Sequence, residues 1–260
     1  MSKQKIKIVS SWTRPGGGTV AHIALTNLLN ENGFDCTFYG PHDWHLDKCK
    51  AAPIQEALIG PDDILISHFI QVPDEAKPKK HILYCHEKNI FPLKNIPLLQ
   101  YDCIVYVSNS QKAWQGVNHP SVIIPPLVKK ITWTDPKNNV AGIVGSVDEN
   151  KQTHKSILRA TKDGYTKIKL FGEINDRKYF EEFVVPVLGV QANVVIEGHQ
   201  DDPEAMYGQV SEVYHSSLSE TFGLVEAECK LAGIPFNGPK NNPEVVPNDE
   251  MLERWKNILN

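Results

Sequence analysis

Pro125-Pro126-Leu127-Val128-Lys129-Lys130 runs on through Asp135-Pro136-Lys137-Asn138-Asn139 and into Val140-Ala141-Gly142-Ile143-Val144. The first part is rich in proline, lysine and asparagine, which favour turn and extended backbone and offer little surface to bury. The last part is a short apolar run bounded by Asn139 and Gly145, the pattern of a strand buried on both faces. A linker that opens directly onto a new buried strand marks a fresh start of the fold. The division it predicts is a first domain over 1–128, a linker over 129–139 and a second domain over 140–247. Residues 248–260 then form a terminal amphipathic helix, placed to pack back toward the first domain.

Upstream, the rhythm is strand then helix. Ile6-Lys7-Ile8-Val9 reads as a strand ending at Ser10, and a loop containing Pro15-Gly16-Gly17-Gly18 follows. Val20, Ile23, Ala24, Asn27, Leu28 and Glu31 then recur at helical spacing, with Gly33 as the stop. Phe34 to Tyr39 is the next strand, and short apolar runs come at Ile64-Leu65-Ile66, Ile82 to Cys85, Cys103 to Val107 and Val122 to Ile124. Downstream, a helix over 152–163, a strand over 168–171 and a helix over 176–188 continue the pattern. A strand at 194–196, a short helix near 203–208, a strand near 212–216, a helix over 222–232 and a strand at 234–236 complete it. Two successive assemblies of this kind make an α/β protein of two Rossmann-like doubly wound domains facing a cleft, with ligands at the carboxyl ends of the strands.

Composition agrees. At roughly 150 residues per domain, 260 residues accommodate one large domain or two small ones. The chain is 41% hydrophobic and 22% charged, so disordered and collagen-like classes are excluded. Mean hydropathy is −0.32, and no apolar run approaches the ~18 residues of a membrane-spanning helix. The first ten residues lack the apolar stretch of a secretory signal, and five cysteines without a C-x-x-C pair argue against disulfides or structural zinc. The expectation is a soluble cytoplasmic protein. Residues 1–130 carry 14 Lys and Arg against 11 Asp and Glu, the remainder 13 against 20, and the whole nets −4. The mildly basic first half offers a face for weak contact with an anionic surface, or carries ordinary scatter of charge.

Three features carry chemistry. The Gly16-Gly17-Gly18 turn opens a helix, so unhindered backbone and free N–H groups stand ready for an anion. Gly16-x-Gly18-x-x-Ala21 also fits a dinucleotide fingerprint, but the glycines lie too far past the strand, and Tyr39-Gly40-Pro41 stands where the ribose-binding acid belongs. The second feature is Ser219-Glu220-Thr221-Phe222-Gly223-Leu224-Val225-Glu226-Ala227-Glu228, closed by Ala232-Gly233-Ile234-Pro235. Glu220 precedes the helix, whose N-terminus suits a diphosphate, and Glu228 lies roughly 9 Å further along the axis at 1.5 Å per residue. Carboxylates accept hydrogen bonds from vicinal hydroxyls, which suits sugar or ribose. Glu226 points to another face and is read as solvated, and His215 as core. The third feature is Gly145-Ser146-Val147-Asp148-Glu149-Asn150-Lys151 at the end of the second domain's first strand. Neither a His-x-x-x-His nor an Asp-x-Asp pattern stands at the strand ends, so no metal cofactor is expected.

The stretch from Val213 to Glu244 resembles the donor-domain signature of retaining GT-B glycosyltransferases, the group that includes bacterial hexosyl- and mannosyltransferases. The resemblance rests on the Glu220-x7-Glu228 pair around Phe222-Gly223-Leu224, the Gly233-x-Pro235 stop and the turn Pro243-Glu244-Val245-Val246. It extends back to Asp62-Asp63-Ile64-Leu65-Ile66-Ser67-His68, to Ile82-Leu83-Tyr84-Cys85-His86, to Tyr106-Val107-Ser108 and to Val122-Ile123-Ile124-Pro125. It implies a metal-independent transferase moving a hexosyl group from a UDP- or GDP-type sugar to an unidentified acceptor, with the nucleotide sugar as substrate and no cofactor. The implied catalytic residues are His86 and Glu220. The implied donor contacts are Gly17, Gly18, Lys151, Gly172, Glu173, His199, Phe222, Gly223, Leu224 and Glu228. His68 is read as a support for the cleft. Ser146 stands where the group usually has arginine, which removes a bidentate phosphate contact; Lys155, Arg159 or Arg14 would have to replace it, or donor binding is weaker. Two rivals stay open: a sugar-nucleotide epimerase of related fold, and a catalytically silent nucleotide-sugar-binding protein.

Overall fold

The computed structural model describes residues 5–12, 16–41, 46–68, 77–87, 92–189 and 192–260. The chain forms two compact units, one of Met1–Leu127 with Glu244–Asn260 and one of Val128–Pro243. In the first, β1 (Lys5–Ser10), α1 (Gly17–Glu31), β2 (Asp35–Gly40), β3 (Ala51–Pro53), β4 (Ile64–His68), β5 (Lys80–Cys85), β6 (Cys103–Tyr106), α2 (Asn109–Gln115) and β7 (Ser121–Ile123) follow in order. The sheet runs β3-β2-β1-β4-β5-β6-β7 with every pair parallel. The order reverses between β1 and β4, where Ser10 and His68 are register partners at the carboxyl ends. In open α/β sheets the ligand crevice lies at such a switch point, outside the carboxyl ends of the strands.

The central strands β4 and β5 are buried along almost their whole length, with Ile64, Leu65, Ile66, Ile82 and Leu83 at 0% exposure. Each such side chain contributes about 1.5–3 kcal/mol relative to an exposed one, which is why the apolar runs locate the strands so directly. Helix α1 buries Ala21, His22, Leu25, Thr26, Leu28 and Leu29, whereas Val20 is 41% exposed. Of the stripe expected on Val20, Ile23, Ala24, Asn27, Leu28 and Glu31, only Leu28 is among the buried residues, so the buried face is rotated. Apolar residues occur around most of this helix, and packing rather than spacing chooses the face.

In the second unit the elements are β8 (Val140–Val144), α3 (Thr153–Lys162), β9 (Lys167–Phe171), α4 (Arg177–Tyr179), β10 (Asn193–Gly198), α5 (Pro203–Tyr207), β11 (Glu212–Tyr214), α6 (Leu224–Ala232) and β12 (Phe236–Asn237). Their order is β10-β9-β8-β11-β12, again fully parallel. Ile157, Ile168, Leu170 and Val184 pack in one core and Ile131, Tyr207, Val213 and Cys229 in another. The expected linker is partly recruited: Ile131 is buried, and the Trp133 indole donates to the Val210 carbonyl at 3.2 Å. The helix expected over 176–188 is instead the short α4, a π-turn over Phe180–Val184 and a 3-10 turn over Val185–Val187. Pro186 lacks the N–H an α-helix would need at that point.

The last helix, α7 (Asn248–Leu259), belongs to the first unit. Trp255 meets Tyr84 edge-on at 5.1 Å, and Lys80 Nζ donates to the Ile258 carbonyl at 2.8 Å. None of the helices among the described residues is long and apolar enough to cross a membrane.

Candidate functional site

The second unit gathers its polar residues at the carboxyl ends of β8 and β11, the switch point of its sheet. Two loops are joined there by Asn150, whose amide donates to the Ser217 hydroxyl at 3.3 Å and the Ser219 carbonyl at 3.0 Å. In return Leu218 N–H donates to the Asn150 carbonyl at 2.8 Å. This junction brings Lys151 Nζ to 2.6 Å from Glu220 Oε1. His215 Nε2 reaches the same oxygen at 2.8 Å. Burial alone would raise the Glu220 pKa, but the His215 hydrogen bond and the Lys151 ammonium outweigh it and hold the carboxyl at about 2. Glu220 is thus ionised, with Oε2 left without a hydrogen bond among the described residues.

His215, read from sequence as core, is indeed only 4% exposed, yet its ring serves Glu220. The signal lay in position: a histidine at the carboxyl end of a parallel strand, five residues before the glutamate. Arg159 supports the same loop, donating to the His215 carbonyl at 3.1 Å and pairing with the Asn237 side chain. Its guanidinium is therefore committed to the loop after β11 and to β12. Ser146 donates to Asp148 Oδ2 at 2.6 Å, and Asp148 Oδ1 accepts the Lys151 N–H at 2.9 Å. Lys155 is exposed on α3, and Arg14 lies outside the described residues.

Phe222 is buried, and Gly223 takes a left-handed φ of 91° as the N-cap of α6, with Leu224 as its first residue. No side chain caps this helix, so its first N–H groups remain available to an anion. Glu226 is not simply solvated: it accepts hydrogen bonds from the Asn241 N–H at 2.7 Å and the Asn242 N–H at 3.3 Å, tying down the loop after β12. Glu228 is 9% exposed and accepts from the Tyr207 hydroxyl at 2.7 Å. Burial pushes its carboxyl up to about 7, against the Tyr207 hydrogen bond and Lys129. The two glutamates of the Glu220-x7-Glu228 pair are therefore opposite in character.

At the end of β9, Gly172 is required by packing: a Cβ there would lie 1.9 Å from the Gly145 carbonyl oxygen, at a φ of +153°. Glu173 is exposed, and its carbonyl accepts the Val147 N–H at 2.8 Å. His199 stands beyond β10 and meets Asp201 at 3.1 Å.

The first unit presents a different cluster. Gly17 and Gly18 open α1, and the His86 ring packs over Gly18, 3.5 Å from where a Cβ would stand. His22, on the buried face of α1, lies 4.8 Å from His86 and 5.4 Å from His68, centroid to centroid. Among the described residues neither ring nitrogen of His22 nor Nε2 of His86 has a partner, although all three atoms are enclosed. Burial, followed by the neighbouring histidines, lowers both pKa values well below the usual 6.5, so both rings are neutral. His68 does more than support the site: Nδ1 meets Ser10 Oγ at 3.1 Å and Nε2 meets Glu87 at 2.6 Å. Among the described residues there is no group of three or more His, Cys, Asp or Glu arranged to hold a metal ion.

No protein-family model matches the chain, and no curated protein matches it in sequence. Solved structures do match. HepE of Anabaena, solved in complex with UDP-glucose, is 15% identical over 98% of this chain and 88% of its own, with a TM-score of 0.69. AviGT4, a glycosyltransferase involved in avilamycin A biosynthesis, is 17% identical over 98% and 88%, with a TM-score of 0.64. WaaG, a glycosyltransferase involved in lipopolysaccharide biosynthesis, is 11% identical over 98% and 90%, with a TM-score of 0.63. The likeness establishes the fold, which is the α/β GT-B architecture of two Rossmann-like domains.

Proposed function

We propose that this protein is a glycosyltransferase that moves a hexosyl group from a UDP-type nucleotide sugar to an acceptor with retention of configuration and without a metal ion. The observation that carries the reading is the Lys151–Glu220–His215 cluster beside the uncapped N-terminus of α6. It supplies what a sugar diphosphate needs: an ammonium, helix N–H groups without a side-chain cap and an ionised carboxylate with one oxygen free of hydrogen bonds among the described residues. HepE was solved both with UDP and glucose and with UDP-glucose, which supports a uridine donor.

In this reading Lys151 leaves Glu220 for the diphosphate and, with the Leu224 and Val225 N–H groups, stabilises the charge that grows on the leaving phosphate. His215 keeps Glu220 in place while its free oxygen accepts sugar hydroxyls. Glu228, with Phe171-Gly172-Glu173 and His199, takes the ribose and base. The leaving phosphate assists deprotonation of the incoming hydroxyl on the same face of the sugar, which preserves configuration; no enzymic nucleophile is invoked. The protein works in the cytoplasm, where nucleotide sugars are made.

Thermal shift against UDP-, GDP-, ADP- and CMP-sugars, followed by turnover of any that stabilises, tests the reading. UDP-sugars are expected to raise the melting temperature, and Lys151→Ala to weaken their binding roughly ten- to a hundredfold. Donor affinity unchanged by Lys151→Ala overturns the placement of the diphosphate. Absence of stabilisation by every nucleotide sugar overturns the reading as a whole.

A further inference from the structure

Glu228 is held by one oxygen and open at the other. Tyr207, at 0% exposure, donates its hydroxyl to Glu228 Oε2 at 2.7 Å. The tyrosine is fixed by its surroundings, packed in one core with Ile131, Val210, Val213 and Cys229. The short helix α5 that carries it is pinned to the segment before β8. There the Thr132 N–H donates to Glu204 Oε1 at 3.1 Å, and the Asn138 amide to the Gln209 carbonyl at 2.9 Å. A glutamate side chain turns about several bonds, whereas a ring packed on all sides is locked. The hydroxyl therefore sets where the carboxylate stands.

The other oxygen, Oε1, has no hydrogen bond among the described residues and is not one of the enclosed atoms that lack a partner, so it reaches the surface. Glu228 stands on α6 one turn beyond Leu224, which opens the uncapped N-terminus of that helix. Burial pushes its carboxyl up to about 7, so its charge is costly at this place. A tie between α5 and α6 needs no such charge, because a glutamine would accept the same hydroxyl without it. What the carboxylate adds is a charged acceptor at Oε1. A hydroxyl is the group that meets it, since it donates and brings no second charge into a nearly closed position.

We propose that Tyr207 is a positioning residue for donor selection: by holding Glu228 Oε2 it presents Oε1 to a ribose hydroxyl, so that the site takes ribonucleotides in preference to their deoxy counterparts. This deepens the glycosyltransferase reading, on which the ribose contact of Glu228 rests; what is added is the action of Tyr207 through it. The same hydrogen bond, with Lys129 at the start of the linker, favours the ionised carboxylate against burial. Tyr207 itself is raised above the ordinary tyrosine value by burial and by the Glu228 charge, so it stays the donor. Cys229, beside Glu228 on α6, is raised by burial and by the same charge and is a neutral thiol. Ribose selection should therefore strengthen as pH rises through neutrality.

The test is titration calorimetry of the full-length protein with UDP, 2′-deoxy-UDP and 3′-deoxy-UDP at pH 6, 7 and 8.5. At pH 8.5 the parent is expected to bind UDP roughly tenfold or more tighter than one of the two deoxy nucleotides, with a smaller ratio at pH 6. All three share the phosphate titration, so the ratio is free of it. Tyr207→Phe, which removes only the hydroxyl, should cut the ratio several-fold, leave the affinity for that deoxy nucleotide unchanged and move the rise of the ratio to higher pH. Glu228→Gln should also lower the ratio and make it independent of pH; it decides the matter if Tyr207→Phe does not fold. Equal affinity of the parent for all three nucleotides overturns the proposal. So does the parent's ratio in either variant, or a loss of affinity for all three alike in Tyr207→Phe, which is the mark of a tie between helices and nothing more. Failure of UDP to bind the parent overturns the donor reading itself, whereas binding without selection overturns only the proposal.

Discussion

The two units build their sheets on one plan and dress the same place in opposite chemistry. Each has strand order 3-2-1-4-5 counted from its own first strand, with two more strands on the first unit. At the switch point of the first unit stand neutral histidines around a helix that begins with glycine. At that of the second stand an ammonium, a strongly ionised carboxylate and a histidine sharing one oxygen. Topology therefore determines where a ligand meets each sheet, whereas a handful of loop side chains determines what kind of ligand it is.

The sharpest way to break this comparison is through the glycines, which look alike in sequence. Gly172→Ala drives a Cβ into the Gly145 carbonyl, and is expected to destabilise by at least about 3 kcal/mol. Gly18→Ala meets the His86 ring at an ordinary 3.5 Å, and should change stability by less than about 1 kcal/mol. Urea unfolding of both variants separates a glycine needed by the backbone from one needed by a ligand. Similar losses in the two would mean that the α1 turn is as tightly closed as the β8–β9 junction.

The two glutamates sharpen the comparison within the second unit. Glu228 has a folded pKa of about 7 against an ordinary 4.5. The folded state holds that proton longer than the unfolded chain, so stability is full below 4.5 and declines as pH rises to about 7. The loss is on the order of 3 kcal/mol. Glu228→Gln keeps the partner for Tyr207 and removes the titration, so above neutral pH it should melt higher than the parent by a comparable free energy. Glu220, held at about 2, contributes in the reverse sense: its stabilisation is present above 4.5 and is lost as pH falls toward 2. Melting curves from pH 2 to 8 check both signs. A Glu228→Gln variant whose stability relative to the parent does not rise between pH 4.5 and 7 would show Glu228 to be less enclosed than its 9% exposure indicates.

The sequence made most of this architecture readable, because parallel strands buried on both faces are near-continuous apolar runs. β3 escaped notice: Ala51-Ala52-Pro53 has no β-branched residue and exists only by pairing with β2. α2 escaped as well, although Ser108 and Gln111 carried a capping signature; the Ser108 hydroxyl accepts the Gln111 N–H at 3.1 Å, and Gly116 ends the helix in a left-handed conformation. In the candidate site, the residues set beside helix N-termini were legible, since glycine turns and flanking acids leave local patterns. The groups that hold them were not. His215 to Glu220, Tyr207 to Glu228 and Ser10 through His68 to Glu87 are pairings across loops and strands. Their partners are decided by register and packing, which no spacing along the chain encodes.

The smallest expected effect falls on the first unit and runs opposite to that of Glu228. His22 is fully buried between Phe38, Tyr84, His68 and His86, with both ring nitrogens unpartnered among the described residues. Its folded pKa lies well below 6.5, first through burial and then through the two neighbouring histidines. The unfolded chain takes up a proton near 6.5 while the folded one resists it, so stability is full above 6.5 and is lost as pH falls below that value. His22→Leu removes one such site and two unsatisfied atoms at similar volume. At neutral pH it should gain about 1 kcal/mol, and its melting temperature should decline less steeply than the parent's between pH 6.5 and 5. His86 keeps part of that slope, since its pKa is lowered for the same reasons. An unchanged acid slope in His22→Leu would place the proton uptake on His86 alone, and a loss of stability at neutral pH would mean that the His22 nitrogens are satisfied by water. The opposite pH slopes of His22→Leu and Glu228→Gln then assign each arm of the stability profile to its own unit, because each residue sits wholly within one of them.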